Sequence, residues 1–243
     1  MNIKKYIVWS GLFFLLTFAA ATAEEVKIDQ QGLDAFGNLE IARGKSLKKD
    51  GVVLLLHDTH GHNRMEIMSA LQELLTERGI NSLAVTLTLG MNERRGMFDC
   101  SIEQDHRNED ALEEIRNWVE WLKEKGATKI ILAGHGRGGN QVAIYAKNVN
   151  YYGSNQNLYT PSLMPFLKMP VLVMVGELDP LATELKPAIE GIPDARNVTM
   201  ETIPGADRYF RDLAAEEVAN RIRDFLKKPS TSKRVDNSTT DRP

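Results

Sequence analysis

The chain has 243 residues, of which 42% are hydrophobic and 26% charged, and its formal net charge is -3 at pH 7. This composition is that of an ordinary globular domain, and the slight acidity argues against the basic electrostatic footprint of a nucleic-acid-binding protein. Cys100 is the only cysteine, so no internal disulfide can form and stability must come from the core.

The first 23 residues have the pattern of a secretory signal peptide. Lys4 and Lys5 precede an apolar stretch at 6–20, and Ala21-Thr22-Ala23 then precedes Glu24. Because this stretch has roughly 15 residues and a membrane span needs about 20, cleavage is favoured over an uncleaved anchor. We therefore expect a mature protein that begins near Glu24, is exported to a bacterial periplasm and keeps no stable membrane span.

The remaining chain alternates apolar strands with amphipathic helices. The predicted strands, in chain order, cover residues around 39–42 and then 52–56, 81–87, 129–133, 170–175 and 198–203, and the helices cover 65–79, 109–125, the segment from the glycine loop to about 147, and 211–227. This order predicts an α/β domain over 24–227 with a mostly parallel sheet and helices on both faces. The polar segment 228–243 is predicted to be a disordered tail.

A glycine-rich segment, ILAGHGRGGNQVA at 131–143, connects one predicted strand to the next helix. Gly134, Gly136 and Gly139 fit the G-x-G-x-x-G loop that binds a dinucleotide pyrophosphate. The same segment fits the G-x-S-x-G nucleophile elbow, except that Gly136 stands at the serine position. A dinucleotide site needs this loop after the first strand and an acidic residue about 20 positions on. Neither condition is met, so the elbow is favoured and no cofactor is predicted.

Four segments resemble those of the α/β-hydrolase fold family, in family order and at plausible spacing. They are LLLHDTHGHN at 54–63, GHGRGG at 134–139, VMVGELDP at 173–180 and IPGADRYFRDL at 203–213. The resemblance implies the α/β-hydrolase fold, with one oxyanion donor supplied by 54–63 and Asp179 in the position of the triad acid. It also implies loss of one sheet strand and of the lid, because the segment 148–169 is shorter than in the family.

The chain departs from the family at the residues that carry the chemistry. Serine hydrolysis needs a nucleophile, an imidazole base and an orienting carboxylate. By the resemblance, these positions hold Gly136, Arg208 and Asp179; glycine supplies no nucleophile, and arginine stays protonated. Asp58 stands where a glycine usually follows the first histidine, which places a carboxylate near the oxyanion position. Asp179 and Arg208 have a structural alternative, an ion pair that ties the last strand to its loop.

Other chemically capable residues lie in three loops that each follow a predicted strand. They are all five histidines and the only cysteine: His57, His60, Cys100, His62, His106 and His135. The group His57, His60 and His62 would suit part of a metal site, and Cys100 would suit a nucleophile with His106 as its base. Against these readings, loop histidines are common and a lone thiol is more often inert, so no metal is predicted.

Two functional hypotheses follow. The first is an exported α/β-hydrolase-like protein with a degenerate triad that binds a small molecule or a protein partner without catalysis. Its candidate ligand contacts are His57, Asp58, Cys100, His106, His135 and Arg137, and Arg94 and Arg95 are either contacts for an anion or simply solvated. The second is a hydrolase of small esters or amides that uses a metal-bound water or Cys100.

Overall fold

The computed structural model describes residues 21–103, 106–150, 160–167, 169–192 and 197–228. The predicted signal peptide lies outside the described residues except for 21–23, and the predicted tail lies outside them except for Lys228. Within these ranges, no helix is long and apolar enough to cross a membrane.

The described residues form two sheets. The first contains β1 (Thr22–Gln30), β2 (Leu33–Ile41), β3 (Val52–Leu56), β4 (Ser82–Val85) and β5 (Ile130–Gly134), in the order β1-β2-β4-β3-β5. The second pairs β6 (Val171–Gly176) with β7 (Val198–Ile203). β3 runs parallel to β4 and to β5, and β6 runs parallel to β7, whereas β2 is antiparallel to both of its neighbours. The predicted α/β class with a mostly parallel sheet is confirmed.

The first two strands form a hairpin, where the sequence analysis predicted only a short strand at 39–42. Gln31 and Gly32 in its turn both have positive φ, of 55° and 87°. Two consecutive positive φ values are typical of the tight turns whose twist matches that of the flanking strands. The hairpin extends through the expected cleavage position, since Ala23 pairs with Glu40.

The helices are α1 (Leu47–Asp50), α2 (Glu66–Glu77), α3 (Asn108–Glu124), α4 (Arg137–Asn150), α5 (Thr160–Leu163), α6 (Ala182–Glu190) and α7 (Leu213–Lys227), with a 3₁₀ turn at Met164–Phe166. The four predicted helices correspond to α2, α3, α4 and α7. Helix α6 was missed because Pro187 lies inside it, and an internal proline normally indicates a helix break.

β3 carries side chains to both faces of the sheet, and all five of them are buried. Leu54 and Leu56 pack on one face with Trp118 of α3. Val53 and Leu55 pack on the other face with apolar residues of α2 and α7. Because successive strand residues point to opposite faces, this one strand joins both helical layers to the sheet.

Among the described residues, no backbone hydrogen bonds join β5 to β6, so the two sheets are separate. Side chains connect them instead, since Ile203 at the end of β7 packs in the same core as Val53 and Leu55. The break lies where the resemblance predicts a missing strand, and residues 151–159, within the shortened segment, lie outside the described ranges.

Candidate functional site

The segment GHGRGG forms a sharp strand-to-helix turn at the C-terminal end of β5. β5 ends at Gly134 and α4 begins at Arg137, so only His135 and Gly136 form the connection. Gly136 has a φ of 54°, in the left-handed region where residues with side chains are strained. This is the backbone shape expected of a nucleophile elbow.

Glycines also allow close contact between the elbow and its surroundings. A Cβ on Gly138 would lie 2.4 Å from the carbonyl oxygen of His57, and a Cβ on Gly134 would lie 2.3 Å from the carbonyl carbon of Gly138. Both distances are far below van der Waals contact. Packing of the helix against the strand ends therefore accounts for these glycines without a bound phosphate.

The carboxylate of Asp58 occupies the space beside Gly136 in which a nucleophile side chain would lie. A Cβ on Gly136 would be 2.3 Å from both Cγ and Oδ1 of Asp58. Asp58 follows β3, whose C-terminal end lies beside that of β5 in the parallel sheet, and so it reaches across the elbow from a neighbouring loop. As the chain stands, no side chain fits at position 136.

Asp58 also accepts hydrogen bonds from the two backbone amides that would form an oxyanion hole. Its Oδ1 accepts hydrogen bonds from the backbone N–H of Arg137 and from that of Thr59, each at 2.8 Å. In a nucleophile elbow, the residue after the nucleophile supplies one oxyanion donor, and a loop after an earlier strand supplies the other. Arg137 and Thr59 hold these two positions. By the resemblance to this family, a carboxylate oxygen of the chain itself lies near the oxyanion position.

Arg208, which the resemblance assigns to the position of the triad histidine, also contacts Asp58. Its Nη2 lies 3.1 Å from Oδ2 of Asp58. Asp179, which the resemblance assigns to the triad-acid position, accepts a hydrogen bond from the backbone N–H of Leu181 at 2.9 Å. Arg208 therefore forms an ion pair with Asp58. The ion pair between Arg208 and Asp179, the structural alternative from the sequence, is not found among the described residues.

The surroundings of Asp58 favour its ionised form. Partial burial alone raises the pKa of this carboxyl, but the amides of Arg137 and Thr59 and the nearby His135 outweigh that effect. The pKa of Asp58 is consequently held below its ordinary value, and the group is an anion at neutral pH. The site combines a fixed negative charge with a guanidinium, which stays protonated and cannot act as a base.

His57 is buried beneath this site and both of its ring nitrogens are occupied. Nδ1 lies 2.7 Å from the carbonyl oxygen of Asp58, and Nε2 accepts the backbone N–H of Leu87 at 3.1 Å. The guanidinium of Arg94 approaches Nε2 at 3.2 Å and donates to the carbonyls of Leu87 and Gly61. Burial, together with the charge of Arg94, lowers the pKa of His57 to about 3. His57 is thus a neutral structural residue.

Known structures share this architecture. Est1E from Butyrivibrio proteoclasticus superposes with a TM-score of 0.66 at 18% identity, over 83% of this chain and 97% of that one. An alpha-beta serine hydrolase homologue from Coxiella burnetii gives 0.65 at 17% identity, over 84% and 97% of the two chains. A dienelactone hydrolase from Anabaena variabilis gives 0.63 at 19% identity, over 85% and 97%. The chain matches no protein-family model and no curated protein sequence.

The chain has the α/β-hydrolase fold. This similarity covers 97% of the length of both Est1E and the Coxiella burnetii protein. At such low identity the likeness establishes the fold and leaves the chemistry to be argued from the residues present.

The three histidines considered as part of a metal site each have other partners in this α/β-hydrolase-fold protein. Both ring nitrogens of His57 already have hydrogen-bond partners. Nδ1 of His62 accepts the backbone N–H of Arg64 at 3.2 Å. His60 lies elsewhere in the loop and stacks on Phe98. Within the described ranges, no three His, Cys, Asp or Glu side chains are arranged to hold a metal ion.

The cysteine and the remaining histidines have partners other than those predicted. Sγ of Cys100 lies 3.5 Å from Nδ1 of His60, so the expected pairing with His106 is wrong. His106 instead contacts Glu114, with 3.0 Å between Nε2 and Oε1. His135 donates from Nε2 to the backbone carbonyl of Arg208 at 2.7 Å, which links the elbow to the segment before α7.

The arginines of the site also have structural partners. Arg137 uses its backbone amide at the elbow, and its side chain lies 3.3 Å from Oδ1 of Asn108 at the start of α3. Arg94 is buried among backbone carbonyls. Arg95 pairs with Glu25 at 2.5 Å and stacks over the ring of Phe36. Neither of the adjacent arginines has the arrangement of a contact for an anionic ligand.

Glu114 is the buried charge that the sequence analysis missed. It lies on the apolar face of α3 with Ala111, Ile115 and Trp118, at the i, i+3, i+4 and i+7 spacing of a core helix. A carboxylate at such a position needs a compensating partner. The sequence therefore contained a signal for this buried charge. His106, the partner of Glu114, was instead predicted to pair with Cys100.

Proposed function

We propose that this protein is an exported, non-catalytic binding protein built on the α/β-hydrolase fold. The observation that carries the proposal is that Oδ1 of Asp58 accepts hydrogen bonds from both Arg137 and Thr59 at the oxyanion position. The elbow has not only a glycine at the serine position. The carboxylate of Asp58 also fills the space that a nucleophile and a substrate oxygen would need.

A substrate carbonyl group would have to displace the carboxylate of Asp58 to reach these two backbone amides. The oxyanion hole lowers the barrier of acyl transfer by donating to an oxygen that becomes negative in the transition state. Here a carboxylate that is already negative receives those donors, and Arg208 balances its charge. A neutral ester oxygen would have to replace an anion that is covalently tethered beside the same amides.

A cysteine hydrolase is the alternative for which a specific observation exists. Cys100 is exposed, and the imidazole of His60 lies within 3.5 Å of its sulfur. A thiol with an adjacent imidazole is the minimal form of an activated cysteine nucleophile. The metal-water alternative has no comparable support from the geometry of His57, His60 and His62.

Hydrolysis of a short-chain nitrophenyl ester by the purified protein tests this proposal. We expect the rate to equal that of buffer, with and without a strong chelator. Activity that Cys100→Ala abolishes would establish the cysteine alternative, and activity lost to the chelator would establish metal-bound water. Either result would overturn the proposed lack of catalysis, provided that circular dichroism shows the variant to be folded.

Export is the second part of the proposal, and the hairpin is compatible with it. Cleavage after Ala23 would leave β1 from Glu24, which pairs with Leu39, through Gln30. Seven of the nine residues of the strand would remain paired with β2. Mass spectrometry of the protein recovered from the periplasm of a Gram-negative host should give a chain that begins at Glu24. An uncleaved chain retained in the cytoplasm would contradict export.

A further inference from the structure

A surplus of positive charge lies at the edge of the first sheet that is opposite the elbow. The two segments 43–50 and 123–129 contain seven basic and two acidic residues, whereas the whole chain has 30 basic and 33 acidic ones. The first segment includes α1 and leads into β3, and the second links α3 to β5. Because β3 and β5 run parallel and the elbow follows the C-terminal end of β5, both segments lie at the other end of these strands.

Hydrogen bonds hold these two segments side by side. The backbone N–H of Val52, at the start of β3, donates to the carbonyl oxygen of Lys129 at 3.0 Å. The hydroxyl of Thr128 donates to the carbonyl oxygen of Lys48 at 2.8 Å. The basic residues of the two segments therefore belong to one continuous part of the surface.

Four of the six lysines in these segments form no ion pair. Lys45 pairs with Asp50 at 3.0 Å, and Lys123 pairs with Glu120 at 2.7 Å. The other four lysines are exposed, and none of them forms an ion pair with another residue that the structure describes. We call these four residues the basic edge: Lys48, Lys49, Lys125 and Lys129.

The carboxylates of the two segments do not balance the basic edge. Asp50 is already paired with Lys45, so Glu124 alone remains against the four lysines. The C-terminal end of a helix favours nearby cations, which accounts for Lys125 just beyond α3. It does not account for Lys129, which precedes a strand. Like charges at one edge repel each other, so an anionic surface placed against them would relieve that repulsion.

The chain enters the domain at the same edge of the sheet. β1 is antiparallel to β2, and Thr22 at the start of β1 pairs with Ile41 at the end of β2. Arg43 follows two residues later, so the start of β1 lies next to the first basic segment. The apolar stretch at 6–20, which is expected to direct export across a membrane, precedes β1 in the chain. The basic edge therefore lies beside the point at which the chain arrives from its targeting segment.

We propose that the basic edge binds the surface of a membrane that contains anionic phospholipids. Each lysine against anionic headgroups strengthens such binding by roughly fivefold, and the attraction reaches about 10 Å at 0.1 M salt. The position of the apolar stretch selects a lipid surface over other polyanions. The binding is peripheral and leaves the elbow at the end of the sheet away from the membrane. This inference goes beyond the proposed binding role, because it states where that role is carried out.

Co-sedimentation of the mature chain with lipid vesicles tests the inference. At low salt, vesicles with about 30% phosphatidylglycerol in phosphatidylcholine should bind the protein at least about tenfold more tightly than pure phosphatidylcholine. Salt at about 0.5 M should remove this preference, because it shortens the range of the attraction. Equal binding to both kinds of vesicle, or no binding to the anionic ones, would overturn the proposal. Binding to a short DNA duplex as tight as that to the anionic vesicles would overturn the assignment to lipid.

Two double variants with the same change in net charge locate the binding. Lys48→Gln/Lys129→Gln removes one lysine from each segment and should weaken binding to the anionic vesicles by at least about tenfold. Lys186→Gln/Arg211→Gln removes two exposed cations from α6 and from the segment before α7, and it should change the affinity by less than about twofold. Equal losses in the two variants would show that net charge drives the binding and would contradict the basic edge. The elbow is not part of this surface, so failure to bind vesicles leaves the prediction for ester hydrolysis intact.

Discussion

The carboxylate of Asp58 and the backbone of Gly136 exclude any side chain at the elbow position. The two residues are 78 positions apart in the chain, yet a Cβ on Gly136 would lie within 2.3 Å of the carboxylate. The aspartate and the glycine therefore depend on each other. A serine restored at 136 alone would meet the carboxylate of Asp58.

A double-mutant cycle measures this dependence. Gly136→Ala should destabilise the protein by about 3 kcal/mol, since the new methyl group meets Asp58 and the positive φ adds strain. In an Asp58→Gly background the same substitution should cost only about 1 kcal/mol, which is the strain of φ alone. Urea denaturation of the four proteins gives the coupling free energy. Additive effects would show that Asp58 does not occupy this space in solution.

Two adjacent arginines provide a matched test of burial. Arg94→Met should destabilise the protein by about 3 kcal/mol, because it leaves the carbonyls of Leu87, Gly61 and Gly96 without their donor. Arg95→Met should change stability by no more than about 1 kcal/mol, since its ion pair with Glu25 is exposed. Equal losses in the two variants would contradict the structural role of Arg94.

His57 should make the protein sensitive to acid. Its pKa is about 3 in the folded protein against 6.5 ordinarily, so the unfolded chain binds a proton between these pH values and the folded one does not. The stability is fully present above pH 6.5 and falls as the pH drops toward about 3, by up to about 1.4 kcal/mol per pH unit. His57→Gln should flatten this part of the curve of unfolding free energy against pH. His60→Gln is the control and should keep the slope.

Gly138 should tolerate no side chain, although its φ is ordinary for other residues. Gly138→Ala places a methyl group against the carbonyl oxygens of His57 and Leu56, and we expect a loss of about 3 kcal/mol or more. Gly96→Ala is the matched control, because a Cβ there meets nothing within 4 Å. It should alter the unfolding free energy by no more than about 0.5 kcal/mol. Thermal denaturation of both variants compares them directly, and a harmless Gly138→Ala would rule out the close contact.

Much of the fold could be predicted from the sequence because hydrophobic periodicity records burial directly. The run VVLLL predicted β3, and all of its side chains are buried. The elements that were not predicted depart from the usual local sequence signals. The hairpin turn at Gln31 and Gly32 lacks the usual Asn-Gly or Asp-Gly signal, and α6 contains Pro187. Residues near the expected cleavage site were also set aside, although β1 begins at Thr22.

The sequence predicted which loops would form the candidate site, but it did not predict how their residues contact one another. The resemblance assigned Gly136, Asp58 and Arg208 to the elbow, the oxyanion loop and the segment of the triad histidine, and the structure brings the three residues close together. The sequence did not indicate that the three converge on the Asp58 carboxylate, since that contact depends on how three distant loops meet. The pairings of Cys100 and His106 failed for the same reason, because closeness in sequence was used as a guide to closeness in space.

Among the residues that the structure describes, the break between β5 and β6 divides the backbone hydrogen bonds of the strands into two separate ladders. A continuous sheet opens as one cooperative unit, whereas β6 and β7 can separate from the rest by giving up only side-chain packing. Amide hydrogen exchange should therefore fall into two protection classes, with the amides of β6 and β7 exchanging at a lower opening free energy than those of β3 and β4. Asp179 and Arg208 follow β6 and β7, so we expect both residues to belong to a cooperative folding unit that can open while the elbow stays closed.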